Sequence, residues 1–160
     1  EENVFEDFTD EERDAEFGKP PATVWENVKI MRANPDKVKV LTAGGTLTAD
    51  IVDSFVASIL YRWSNELEDR IIPAVEAKLR LFKHLEDDDD LDKKRWKAIK
   101  AVRIELGKDK EGKKSICTRL KDALEARDYD TASALQLEMT RKIEALEDAY
   151  REYRNNILDD

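Results

Sequence analysis

LKDALEARDYDTASALQLEMTRKIEALEDAYREYRNNI, residues 120–157, decides the fold. Leu120 and Leu124 continue a short apolar stripe that starts at Ile116, and Arg127-Asp128-Tyr129-Asp130 interrupts it with turn-forming residue types. Beyond the interruption Ala132, Leu135, Met139, Ile143, Leu146, Tyr150, Tyr153 and Ile157 form a second stripe. From Met139 its spacings are 4, 3, 4, 3, 4, the pattern of a coiled-coil seam. Two helices folded back on each other bury both stripes at once. The expectation is a C-terminal helical hairpin with a coiled-coil-like last helix, an architecture of association rather than catalysis.

The same period runs through the preceding residues. Ile51, Val52, Phe55, Ile59, Trp63, Leu67 and Ile71 recur at threes and fours, which predicts a long amphipathic helix from Ala49 with Thr48 as its N-cap. Pro73 lacks an amide donor and its ring collides with the turn before it, so a kink is expected near Asp69, with the stripe resuming at Val75, Leu79, Phe82 and Leu85. Asp90 or Asp92 caps a further helix whose Trp96, Ile99, Val102 and Leu106 share one face, with Lys93, Lys97 and Lys100 roughly opposite and Gly107 as its C-cap. Lys108 to Gly112 reads as a polar linker. Nearer the start, Val24, Trp25, Val28 and Met31 predict a short helix ended by Asn34-Pro35, and the piece from Asp36 to Leu41 reads equally as short helix or extended chain.

Composition agrees with helices. Of 160 residues 41% are charged, while Gly numbers five and Pro four, too few for the turns of an all-β fold. The expected architecture is therefore an all-α bundle of four to five helices in a single domain over residues 20–160. Residues 1–19 carry nine acidic groups against two basic and few large apolar side chains, and they read as a flexible acidic arm. A single Cys offers no disulfide framework, and no stretch approaches the roughly 18 apolar residues of a membrane span. An intracellular location without membrane insertion is expected, in the cytoplasm or, after removal of a leader, in an organelle interior.

Charge is segregated. Between Lys93 and Lys121 there are twelve basic residues against three acidic, a local +9 within a chain of net charge −9. Such a block binds an acidic protein surface, this chain's own acidic arm, or the phosphate backbone of a nucleic acid.

Motifs for chemistry fail on inspection. Gly107-Lys108-Asp109-Lys110-Glu111-Gly112-Lys113 has the glycine spacing of a phosphate-cradling loop, but Lys114 stands where that loop needs Ser or Thr to hold magnesium, and a helix precedes it where a strand is required. Asp87-Asp88-Asp89-Asp90 lacks the glycine and the distal Glu of a calcium loop. The one His, His84, has Leu81 three residues before it, so no di-iron Glu-x-x-His pair exists, and Cys117 lies beside an apolar stripe as a small core residue. No catalytic, metal or cofactor site is expected.

Residues 116–146 carry a family resemblance. Leu120-Lys121-Asp122-Ala123-Leu124-Glu125-Ala126-Arg127-Asp128-Tyr129-Asp130-Thr131-Ala132-Ser133-Ala134-Leu135 with Glu138-Met139 resembles the UVR motif, the helical hairpin named for the UvrB and UvrC repair proteins and found also in protease adaptors and plastid proteins. Gln136-Leu137 replaces that family's usual Arg-Asp pair. Through Ala123-Leu124 and Arg127-Asp128-Tyr129 with Ala132 the stretch is also similar to the C-terminal helical domain of the COPII outer-coat protein and of the steroid receptor RNA activator, without the Trp those domains carry further on. Both resemblances imply protein–protein association. The expected function is a non-enzymatic scaffold, adaptor or accessory subunit of a larger protein complex. Its expected contact residues are Lys93, Lys97 and Lys100 on the basic helix and Tyr129, Met139, Leu146, Tyr150 and Tyr153 on the hairpin. The alternative is a nucleic-acid-contacting subunit of a ribonucleoprotein that uses the basic block 93–121.

Overall fold

The computed structural model describes residues 49–159 together with Val24, Trp25, Val28, Lys29 and Ala33. The arm at 1–19, the piece at 36–41 and the Thr48 cap lie outside them. The described residues form an all-α bundle. Its elements are α1 (Ala49–Glu66), a π turn (Leu67–Ile71), α2 (Ile72–Glu86), α3 (Lys93–Gly107), α4 (Ile116–Glu125) and α5 (Tyr129–Asp159). The five early positions are helical as well, except that only isolated turns of that segment are described.

Pro73 explains the joint between α1 and α2. Its missing N–H and the clash of its ring with the carbonyl of Asp69 are absorbed by widening one turn: the Ile72 N–H donates to the Leu67 carbonyl, five residues back. The disturbance thus takes the form of a π turn centred on Asp69, and the helix stays continuous. The buried face of α1 is Val56, Leu60 and Trp63, whereas Phe55 is 42% exposed and Ile59 half-buried. Two adjacent apolar stripes compete on this helix. Both run into Trp63; the one through Val56 and Leu60 faces inward, and the Trp63 indole N–H donates to Gln136 Oε1 inside at 3.0 Å.

The α4–α5 hairpin closes more tightly than its sequence suggests, for Tyr129 and Asp130 already belong to α5. The Asp128 N–H donates to the Ala123 carbonyl at 2.9 Å and the Arg127 N–H to Leu124 at 3.1 Å, the double closure of a Schellman turn. Arg127 occupies the left-handed position, φ 56°, where glycine is usual. Asp128 then caps α5 by accepting from the Thr131 amide and hydroxyl, which together hold its carboxyl below the ordinary value, the hydroxyl contributing most. Ala132, Leu135, Met139, Ile143 and Leu146 are all buried beneath α3 and α4. Since α5 has 31 residues and α4 only ten, the far third of α5 outruns its hairpin partner and packs on α3 instead.

Gly107 differs from its expected role. It is the last residue of α3, not a left-handed cap; the capping position falls on Lys108, whose backbone is extended. A Cβ at Gly107 would lie 2.5 Å from Leu79 Cδ1, so any larger residue there must push that side chain of α2 aside.

Arg127 supplies a test of the hairpin. Glycine relieves about 1–2 kcal/mol of left-handed strain and returns about 0.5–1 kcal/mol in chain entropy, so Arg127→Gly should stabilise the fold by about 0.5 kcal/mol. Arg127→Val, β-branched at the same φ, should destabilise it by about 1 kcal/mol or more. Urea midpoints for the two variants on opposite sides of the parent are the expected result.

Candidate functional site

Two surfaces stand out, and α3 contributes to both. Its start is fixed by Asp92, which accepts from the Arg95 amide at 3.2 Å and donates its own N–H to the Tyr153 hydroxyl at 3.2 Å. With that phase set, Trp96, Ile99, Arg103 and Leu106 turn inward while Lys93, Lys97 and Lys100 are exposed. After Gly107 the chain turns back through Lys110 and Lys113, whose backbones exchange two hydrogen bonds of 2.8 and 2.9 Å across Glu111-Gly112. Gly112 adopts φ 78°, a value that favours glycine. The segment expected as a polar linker is a pinned turn, and it carries Lys108, Lys110 and Lys113 alongside Lys97 and Lys100.

These lysines line a concavity of about 430 Å³. Three nearby carboxylates are engaged, while Glu111 stands exposed at the tip of the turn. Glu105 pairs with Lys142 at 3.0 Å, and Asp122 takes Lys114 at 2.9 Å, which holds that ammonium above its usual value. Asp109 accepts from the Ser115 amide at 2.8 Å and the Thr118 hydroxyl at 3.0 Å; these bonds, the amide first, keep its carboxyl below the ordinary range. Among the described residues Lys97, Lys100, Lys108, Lys110 and Lys113 have no ion-pair partner. Lys93 lies a turn nearer the helix start and does not line the concavity.

The basic block is less exposed than its count of charges implies. Arg103 is buried and clasps Glu86 through Nε at 2.9 Å and Nη2 at 2.8 Å, while the Trp96 indole N–H donates to the same carboxylate at 3.2 Å. Arg103 follows Trp96 by seven residues, two helical turns, so their shared face was readable from spacing. Lys121 is likewise taken, by Glu76 at 3.0 Å.

The hairpin residues separate into three groups. Met139 and Leu146 are in the domain interior, with 1% and 0% exposure. Tyr129 is half-buried at one end, between the rings of Trp25 at 5.5 Å and Trp63 at 6.1 Å. Tyr150 and Tyr153 stand edge-on to Trp96 at 6.0 and 4.8 Å, and Tyr150 meets Phe82 at 5.3 Å. Past these tyrosines an open groove of about 600 Å³ runs between the ends of α2 and α5. Leu81, Leu85, Leu91, Ile157 and Leu158 line it, and Asp88 and Asp90 stand on its rim. Leu158 is 72% exposed, Ile157 41% and Leu81 39%. Sequence spacing placed Ile157 in the buried seam; α3 meets that turn through Arg95, whose Nη1 donates to the Asn156 carbonyl at 3.2 Å, and the Ile157 side chain is left part-exposed in the groove.

Burial pushes the Cys117 thiol up to about 12, with the nearby Glu76 adding to the effect, so it stays protonated. His84 is exposed at the end of α2. Among the described residues no group of His, Cys, Asp and Glu gathers as metal ligands do, and no helix is long and apolar enough to cross a membrane. Comparison with protein-family models, curated proteins and solved structures gives no match.

The Arg103–Glu86 pair yields a stability test. Removing one partner strands a buried charge, so Arg103→Met and Glu86→Gln should each cost about 3 kcal/mol or more. The double variant, which retains an acceptor for Trp96, should lose well less than the sum of the two single losses. Chemical denaturation of all four proteins measures this coupling; additive losses would show that the two groups act independently.

Proposed function

We propose that this chain is a non-enzymatic adaptor or accessory subunit of a larger protein assembly, which it joins through the apolar groove between the ends of α2 and α5. The observation that carries this reading is that Leu81, Ile157 and Leu158 are exposed side by side and line one groove, which the exposed Phe55 and Tyr61 of α1 do not. Contiguous apolar surface rimmed by polar residues is what a partner helix covers when it lays its own apolar face into a groove. The rim carries Asp88 and Asp90 within the run Asp87 to Asp90, so the complementary partner is an amphipathic helix with basic residues beside its apolar anchors. The UVR-type resemblance of residues 116–146 supports association in general. With Met139 and Leu146 interior, association in this reading uses the end of α5 and not the middle of its seam.

Ile157→Asp with Leu158→Asp tests the proposal. Both side chains are exposed, so the melting temperature should stay within about 2 °C of the parent, as for surface changes generally. Affinity capture from nuclease-treated native extract should lose the protein partner that the parent retains. An identical set of retained proteins would refute the groove as the contact.

A further inference from the structure

We propose that the concavity between α3 and the Lys110–Lys113 turn is a binding site for a compact oligophosphate anion, recognised by charge and held without a metal. This inference is independent of the groove at the other end of α3. Its basis is the gathering of Lys97, Lys100, Lys108, Lys110 and Lys113 around about 430 Å³, within the size range of small-ligand sites. Ammonium groups crowded in this way repel one another. The fold nevertheless assembles them from two separate elements and directs three neighbouring carboxylates to other partners, Glu105 to Lys142, Asp122 to Lys114, and Asp109 to the start of α4, which leaves Glu111 at the tip of the turn against five lysines. The result is a concave surface whose positive charge is left for something outside the domain.

The lining residues select the ligand class. All of its cations are lysines, point charges with three donors each that suit the tetrahedral oxygens of phosphate; the planar fork of arginine, better matched to paired carboxylate oxygens, is absent. No aromatic side chain lines the cavity, so a nucleobase finds no stacking surface and only the phosphates are read. The position is also well fixed. α3 is anchored through Trp96 and Arg103, and the turn is pinned by its two backbone bonds and by Asp109, so little ordering is required on binding. The site differs in kind from a magnesium-holding phosphate loop, because Lys114 follows Lys113 where the metal-binding hydroxyl would be. Magnesium, by neutralising the phosphates, therefore weakens binding here.

Titration calorimetry of the full chain with sodium tripolyphosphate is the test. One-to-one binding is expected at about 50 mM salt, falling at least about tenfold by about 200 mM. Magnesium should weaken it and a chelator leave it unchanged. Lys100→Ala, Lys110→Ala and Lys113→Ala together should lower affinity at least tenfold at an unchanged melting temperature, since all three are exposed, while Lys93→Ala with Lys94→Ala should change it less than about threefold. A further probe identifies the source of the phosphates. A short single-stranded RNA that binds more tightly than tripolyphosphate, loses affinity in the same triple variant and shows no base preference supports the site with a phosphodiester backbone as its natural ligand. Absence of heat with tripolyphosphate at low salt overturns the proposal, as does equal or tighter binding of a polyglutamate peptide, or an equal loss in the Lys93, Lys94 control.

Discussion

Trp96 is the side chain on which the bundle turns. Its ring receives the edges of Tyr150 and Tyr153 from α5 and lies 6.0 Å from Phe82 of α2, while its N–H reaches the Glu86 carboxylate that Arg103 clasps from two turns along α3. Three helices are thereby registered at one place. A buried indole needs an acceptor, a buried carboxylate needs a cation, and that cation must come from the same helix face as the indole. Spacing of seven residues between Trp96 and Arg103 meets these conditions together.

The two candidate surfaces are consequences of that registration. Once α3 presents Trp96, Ile99, Arg103 and Leu106 inward, Lys97 and Lys100 must face out beside the returning turn. Once α3 begins beyond its Asp92 cap, whose amide meets the Tyr153 hydroxyl, it holds the last turns of α5 by Arg95 on the Asn156 carbonyl, and Ile157 and Leu158 remain exposed. In this account the middle of the α5 seam builds the domain, and association is left to its two unfinished edges: an apolar end and a basic concavity.

Most of the fold was legible because it rests on local periodicity. The stripe from Ala132 to Leu146, the Asp92 cap, the disturbance ahead of Pro73 and the hairpin itself follow from spacing and backbone chemistry within a few residues. What was not legible depends on partners far along the chain. On α1 the inward residues are Val56 and Leu60 in place of Phe55 and Ile59, and Trp63, common to both stripes, bonds Gln136 73 positions away, a contact that neither periodicity nor composition reveals. Gly107 looked like a helix terminator because glycine has two uses, and only the proximity of Leu79 shows which applies. At the candidate site Lys97 and Lys100 were readable as an exposed face. Their companions Lys108, Lys110 and Lys113 were not, since a run of charged residues carries no sign that it folds back; Gly112 at φ 78° was the available clue. Counting Arg103 among the surface charges ignored that it shares the face of Trp96.

Hydrogen exchange along α5 in the isolated chain tests the central claim most directly, because it asks whether this domain buries its own seam. The account predicts slow exchange, near the global unfolding limit, for amides from about Met139 to Tyr150, and a steep loss of protection beyond Tyr153 toward Ile157 and Leu158. Exchange of residues 139–146 as fast as that of 156–158 would contradict it, showing that the seam is covered only when a second molecule is present.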